Sequence, residues 1–273
     1  MKQLSTYINE KLVLSKDTFK TKYNYHPQTE KELRKILEQL IEERGKDADL
    51  NDIDVSNIDN MGRIGKFPND YGLFEKLDPH NIDISDWDVS NVEDMSYMFY
   101  GCENLETIGN LSKWNVSNVI NTSYMFYKCL KLKYIGDLSN WDVSSVKNMA
   151  DMFFRCENIK SVGDLSKWNV TKVNNMDHMF QNCENIKSIG DLSNWDVSNV
   201  KDMGNMFFEC KNLISIGDIS DWDISNVRDM DDMFHGCEKL KNIGDLNKWD
   251  ISRCRYRYDM FTDSAITNIP DWY

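Results

Sequence analysis

Six cysteines, Cys102, Cys129, Cys156, Cys183, Cys210 and Cys237, follow one another at intervals of 27 residues. A row of thiols suggests disulfide or metal chemistry. A metal centre needs several ligands converging on one point, whereas an even spacing distributes them along a line. No CxxC or CxxH pair occurs, and His178 with Cys183 is the nearest approach of the two residue types, in one unit alone. The spacing therefore predicts buried free thiols, cysteine serving as a small core residue, with no metal and no cofactor. Asp137, Asp164, Asp191, Asp218 and Asp245 also recur, each after a glycine. Neither an EF-hand loop nor a glycine-rich calcium nonapeptide accompanies them, so they read as turn formers. The series Ser90, Ser117, Ser144, Thr171, Ser198, Ser225 and Ser252 has no histidine at a constant offset, which removes the triad logic of nucleophilic catalysis. His26, His80, His178 and His235 are scattered and have no readable partners. Phosphate-loop, dinucleotide and zinc-protease motifs are absent, so the chain is expected not to be an enzyme.

These residues belong to a repeat. Trp87, Trp114, Trp141, Trp168, Trp195, Trp222 and Trp249 keep the same 27-residue step, as do seven Met-Phe pairs from Met98-Phe99 to Met260-Phe261. Within one unit, Trp87, Val89, Val92, Met95, Met98, Phe99, Cys102, Leu105, Ile108 and Leu111 are apolar. A spacing close to three fits neither a long helix nor a single strand. It fits a coil that turns several corners and cannot bury its apolar set without its neighbours. Met95, Met98, Phe99 and Cys102 have the offsets of a short helix, with Ser90 and Asn91 as N-cap candidates. Leu105, Ile108 and Leu111 suggest a short strand, interrupted by the recurrent Gly-Asp or Gly-Asn turn, which needs an unusual backbone angle or a close approach. Stacking at the strand spacing gives a rod about 35–45 Å long for about eight coils.

The predicted fold is an α/β solenoid, a leucine-rich-repeat-like stack of 27-residue coils (a short helix plus short parallel strands) with an N-terminal capping helix. Residues 1–28 read as an N-terminal arm and 29–48 as an amphipathic capping helix. Thr29 and Glu32 form a capping-box signature, Leu33, Ile36, Leu37, Leu40 and Ile41 an apolar stripe, and Gly45 a stop. Residues 49–80 read as a degenerate first coil (Val55, Ile58, Met61, Ile64) with an irregular loop over 66–80. Regular repeats fill 81–254, and 255–273 form a closing coil.

The unit MSYMFYGCENL followed by LSNWDVSNV resembles the BspA-like leucine-rich-repeat family of bacterial proteins, also found in mycoplasma lipoproteins and phage genomes. The likeness covers roughly residues 28–265. It implies a surface or adhesion role through protein binding, with no catalytic residues in the repeat, and a gene carried by a phage or mobile element. A signal peptide and lipid-attachment cysteine are not apparent in this sequence, so the chain is expected to be cytoplasmic as synthesised, with surface or virion association implied by the resemblance alone.

A formal charge of −13 argues against nucleic acid or an anionic membrane as the main partner, and Arg253, Arg255 and Arg257 are local exceptions. Membrane insertion is excluded by the lack of a long apolar run. In a repeat, invariant positions hold the stack and variable ones carry recognition. The residue after each Met-Phe pair is Tyr100, Tyr127, Phe154, Gln181, Phe208 and His235, and Tyr97 and Tyr124 lie three residues before the first two. Tyr97, Tyr100, Tyr124, Tyr127, Phe154, Phe208 and His235 are thus the candidate partner-binding residues, either as an exposed aromatic patch or packed against adjacent coils. A protein partner is expected. The alternative is a carbohydrate- or surface-binding module using an aromatic ladder, and the oligomeric state is not readable.

Overall fold

In the computed structural model the described residues are 22–63 and 72–273. Residues 1–21 of the predicted arm, Ile64, and 66–71 of the predicted loop lie outside them. Among the described residues the chain forms one α-helix, α1 (Glu30–Arg44), and three single-turn 3₁₀ segments, Leu111–Lys113, Leu165–Lys167 and Leu246–Lys248. The rest is a stack of coils held by backbone bonds to the next coil. Isolated parallel bridges link Asp94, Asn121, Asn148, Asn175, Asp202 and Asp229, each 27 residues from the last, and end on Tyr256.

The coil interior explains the period. In one turn, Trp168, Val170, Val173, Met176, Met179, Phe180, Cys183, Ile186, Ile189 and Leu192 are all buried. Corresponding rings pile up between coils: Phe99, Phe126, Phe153 and Phe180 stack at 5.4 Å. Each indole also donates its N–H to a carbonyl of the coil before it, as in Trp141 to Leu111 (2.9 Å), Trp168 to Leu138 (3.0 Å) and Trp195 to Leu165 (3.0 Å). The buried thiols behave alike, Cys156 Sγ donating to Phe126 O and Cys183 Sγ to Phe153 O. Burial pushes the Cys102 and Cys156 thiols well above their ordinary pKa, so they are not nucleophiles at neutral pH.

The expected short helix is replaced by consecutive tight turns. Met98, Tyr100 and Cys102 donate backbone N–H groups to the residues three before them, while Met95, Tyr97, Phe99 and Gly101 donate to Asn121, Ser123, Met125 and Tyr127 of the next coil. Every second N–H is therefore spent between coils, and an i→i−4 ladder has no donors left. Tyr97 (φ 60°) and Gly101 (φ 69°) take left-handed backbone angles that end any helix. Ser90 and Asn91 do not cap a helix. Ser90 N–H donates to Asp88 Oδ1, and Asn91 Nδ2 reaches the carbonyl of Ser56. The expected strand at 105–111 reduces to single bridges at Thr107.

The Gly-Asp turns have both properties that glycine confers. Gly190 sits at φ +93°, and an added Cβ would run into the Asp164 side chain of the previous coil. Asp164 Oδ1 in turn accepts from Ser166 N–H (2.9 Å), the role that Asp137 and Asp191 play for Ser139 and Ser193.

Helix α1 closes one end. Thr29 caps it by accepting from Glu32 N–H, and Gly45 N–H donates to Ile41 O. Leu33, Leu37, Leu40 and Ile41 are buried. Arg34, also buried, donates to the carbonyls of Gly72, Leu73 and Glu75 and pairs with Glu38. The first coil is longer than the others: Asp49 pairs with Asp83 and Asn60 with Asp94, a register of 34. Residues 72–77, expected in an irregular loop, instead supply core. Phe74 stacks on Phe99 at 4.8 Å and continues the phenylalanine column. Tyr25, placed by sequence in the arm, bridges to Ile53. At the far end Trp272 stacks on Trp249 (6.4 Å) and donates to Leu246 O (2.8 Å).

Candidate functional site

The turn around each Met-Phe pair sends two side chains outward per coil, because the residues flanking the pair cannot follow the methionines inward. One outward column runs Tyr97, Tyr124, Asp151, His178, Asn205, Asp232; these six residues have φ between 54° and 60°. The second runs Tyr100, Tyr127, Phe154, Gln181, Phe208, His235. Holding a non-glycine residue in the left-handed region costs on the order of 1 kcal/mol or more each. Here the inter-coil hydrogen bonds on both sides of the turn impose it.

The aromatic members of both columns are half-buried. Tyr97 stacks on Tyr124 (4.7 Å, 15°), Tyr100 on Tyr127 (4.7 Å, 3°), Tyr127 on Phe154 (4.6 Å, 9°) and Phe208 on His235 (4.9 Å, 26°). Tyr97 and Tyr100 lie 5.3 Å apart across the columns, and the Arg63 guanidinium sits 5.3 Å from the Tyr97 ring centre. Both readings of these residues hold in part: ring faces pack on adjacent coils, and the remaining surface, half of each column's width, meets solvent.

Where the tyrosines stop, ionisable groups take over. Asp151, Asp177 and His178 bring one ligand atom each within 4.8 Å of one another, a set able to hold a divalent cation. His178 Nδ1 lies 2.6 Å from Asp177 Oδ2, too oblique for a hydrogen bond, since that nitrogen has no hydrogen-bond partner. Asp151 is 7% exposed. Burial pushes its carboxyl up to about 6, aided by Asp177 and opposed by His178 and the Tyr124 phenol. Burial and then the Asp177 charge push Asp202 up to about 6. His178 is raised, burial working against it and Asp177 overcoming that.

These shifts have one sign in stability. A carboxyl raised from 3.8 to about 6 holds its proton more tightly folded than unfolded. Its contribution is full below pH 4 and is lost as pH rises through about 6. Raised His178 acts in the same direction. Thermal unfolding followed from pH 7.5 down to pH 5 is expected to show a rising midpoint. Asp202→Asn, which cannot ionise, is expected to raise the pH 7.5 midpoint by roughly 2–4 °C, equivalent to about 1 kcal/mol after allowance for solvent screening, and to flatten the pH response.

A family model described as "Mycoplasma protein of unknown function, DUF285" matches residues 33–160, 69–188, 110–213 and 184–272. The chain belongs to the DUF285 family. The overlapping matches mark it as a repeat protein. No curated protein and no solved structure matches it. In this DUF285 chain, Tyr97, Tyr100, Tyr124, Tyr127 and Phe154 form one continuous cluster, with Phe208 and His235 as a separate pair further along the same column. Gln181 separates them, and its Oε1 is buried without a hydrogen-bond partner. Sequence reasoning missed the Asp151–Asp177–His178 group. The signal was available, since Asp151 and His178 occupy the same column as Tyr97 and Tyr124, one coil apart. The histidines, expected without partners, each lie near a carboxylate: His26 by Asp54, His80 by Asp78, His178 by Asp177 and His235 by Asp232.

Proposed function

We propose that this chain is a non-enzymatic, protein-binding repeat solenoid of the leucine-rich-repeat-like, BspA-like kind, which recognises a protein through the columns beside the Met-Phe pairs. The observation that carries this reading is the five-residue aromatic cluster Tyr97, Tyr100, Tyr124, Tyr127 and Phe154, half-buried in solvent contact at positions where the coils differ. Tyrosines already immobilised by stacking lose little side-chain freedom on binding, which favours their use as anchors. Surface or virion association belongs to the same proposal, through the family resemblance. Among the described residues no helix is long and apolar enough to cross a membrane.

A carbohydrate module is the weaker alternative. Sugar stacking needs open ring faces, and here Tyr100 and Tyr127 turn their faces to each other at 3°. The double variant Tyr100→Ser/Tyr127→Ser tests the proposal. Its thermal midpoint is expected to fall only modestly, by about 0.5–1.5 kcal/mol per lost stacking contact. Proteins retained by the immobilised wild-type chain from host lysate are expected to disappear. A glycan array bound by the wild type and lost by the variant would favour the carbohydrate reading instead.

A further inference from the structure

Charges on this chain are mostly balanced from one coil to the next. Lys133 pairs with Glu106, Lys211 with Glu184 and Lys248 with Asp221, each 27 residues apart. One exposed column breaks the pattern. Ile120, Lys147, Asn174, Lys201, Arg228 and Arg255 follow each other through backbone bonds of 2.8–3.0 Å, each N–H donating to the carbonyl of the residue before it in the column. Lys201, Arg228 and Arg255 are therefore three successive like charges at adjacent strand positions, an arrangement that destabilises a sheet. None of the three has an ion-pair partner among the described residues, on a molecule that is otherwise strongly acidic.

At the end of this column the cations converge. Arg228, Arg253, Arg255 and Ser252 line a cavity of about 430 Å³. Arg253 is oriented by a 2.6 Å bond from Nη1 to Asn226 Oδ1. The nearest carboxylate that acts on it, Asp250, is engaged by the Ser252 backbone N–H (2.9 Å), leaving Arg228 and Arg255 unopposed. Guanidinium groups present planar forks of N–H donors suited to oxyanions.

We propose that the Arg228–Arg253–Arg255 cavity binds a tetrahedral oxyanion, the phosphate or sulfate ester group of a ligand. The site uses a different column from the aromatic cluster and does not depend on it. Repulsion among the stacked cations, costly in the free chain, becomes attraction once a dianion sits between them.

The test is thermal unfolding of the full chain in inorganic phosphate, in inorganic sulfate and in chloride at matched ionic strength. Phosphate or sulfate is expected to raise the midpoint above chloride in a saturable way. Arg228→Gln/Arg255→Gln is expected to unfold at a higher temperature than wild type in dilute chloride, because the repulsion is gone. It should also need about tenfold more oxyanion, or beyond, for the same response. Arg228→Lys keeps the charge without the fork and is expected to fall between them. A response to sulfate alone identifies a sulfate ester. A response to phosphate that grows as its second proton is lost identifies a phosphate ester. Equal midpoints in all three salts would overturn the site, as would an oxyanion response unchanged in the double glutamine variant. A double variant that melts below wild type in chloride would show that the arginines serve the fold instead.

Discussion

Replacing Trp168 with alanine is expected to destabilise the chain by about 3–5 kcal/mol, the range for truncating a buried tryptophan. Trp168 is 3% exposed, and its indole N–H is bonded to the previous coil at Leu138 O. That carbonyl also accepts from Trp141 N–H, so it is not orphaned by the change. Most of the loss is therefore cavity and burial, and Trp168→Phe should cost much less than Trp168→Ala. Position in the stack matters as well. Trp168 has coils on both sides, whereas Trp272 is partly buried at one end of the described stack. In a chain stabilised by nearest-neighbour contacts, damage in the middle separates two half-stacks. Denaturant unfolding of Trp168→Ala is expected to lose cooperativity as well as midpoint, and Trp272→Ala to lose midpoint alone. Equal effects at both positions would argue against nearest-neighbour coupling.

Gly190→Ala is expected to be the other severe substitution, at about 3 kcal/mol from backbone strain and steric conflict combined. The new Cβ would meet Asp164 Oδ1 and lie 3.1 Å from Leu165 N, with φ at +93°. Moving Asp164 aside would break its bond to Ser166 N–H, so the neighbouring coil cannot give way cheaply. Gly101→Ala is the internal control. Its φ is +69°, yet nothing lies within 4 Å of an added Cβ, and Lys128, Arg155, Asn182 and Glu209 occupy the matching positions at φ 56–58°. It should cost about 1 kcal/mol, the left-handed penalty alone. Circular dichroism melts of the two variants separate strain from collision.

The period and the inward positions were legible because a stacked coil must repeat its core residue by residue. Trp168, Met179, Phe180 and Cys183 carry that message directly. The local backbone was not legible. Met95, Met98, Phe99 and Cys102 have helical offsets, but tight turns with a left-handed residue at Tyr97 put the same four side chains inward. The choice between the two is made by donors to the next coil, a contact 26 residues away that no local window contains. Phe74 was hidden for a related reason. Leu73 replaces the methionine before it, and the 34-residue register of the first coil displaces it from the expected position. The aromatic columns were found because they vary against a constant frame. The Asp151–Asp177–His178 group sits in that frame too, but its meaning depends on burial, which a sequence column does not state.

The division of labour between invariant columns and variable ones is open to one direct comparison. Immobilised wild-type chain, Tyr100→Ser/Tyr127→Ser, and the core variant Ile189→Val would be exposed to the same host lysate after their unfolding midpoints are measured. Ile189 is buried, and its change should cost about 0.5–1.5 kcal/mol, similar to the double tyrosine change. The proposed function predicts that Ile189→Val retains the proteins captured by wild type and that the tyrosine variant loses them. Loss from both variants in step with their stability, or retention by both, would contradict it.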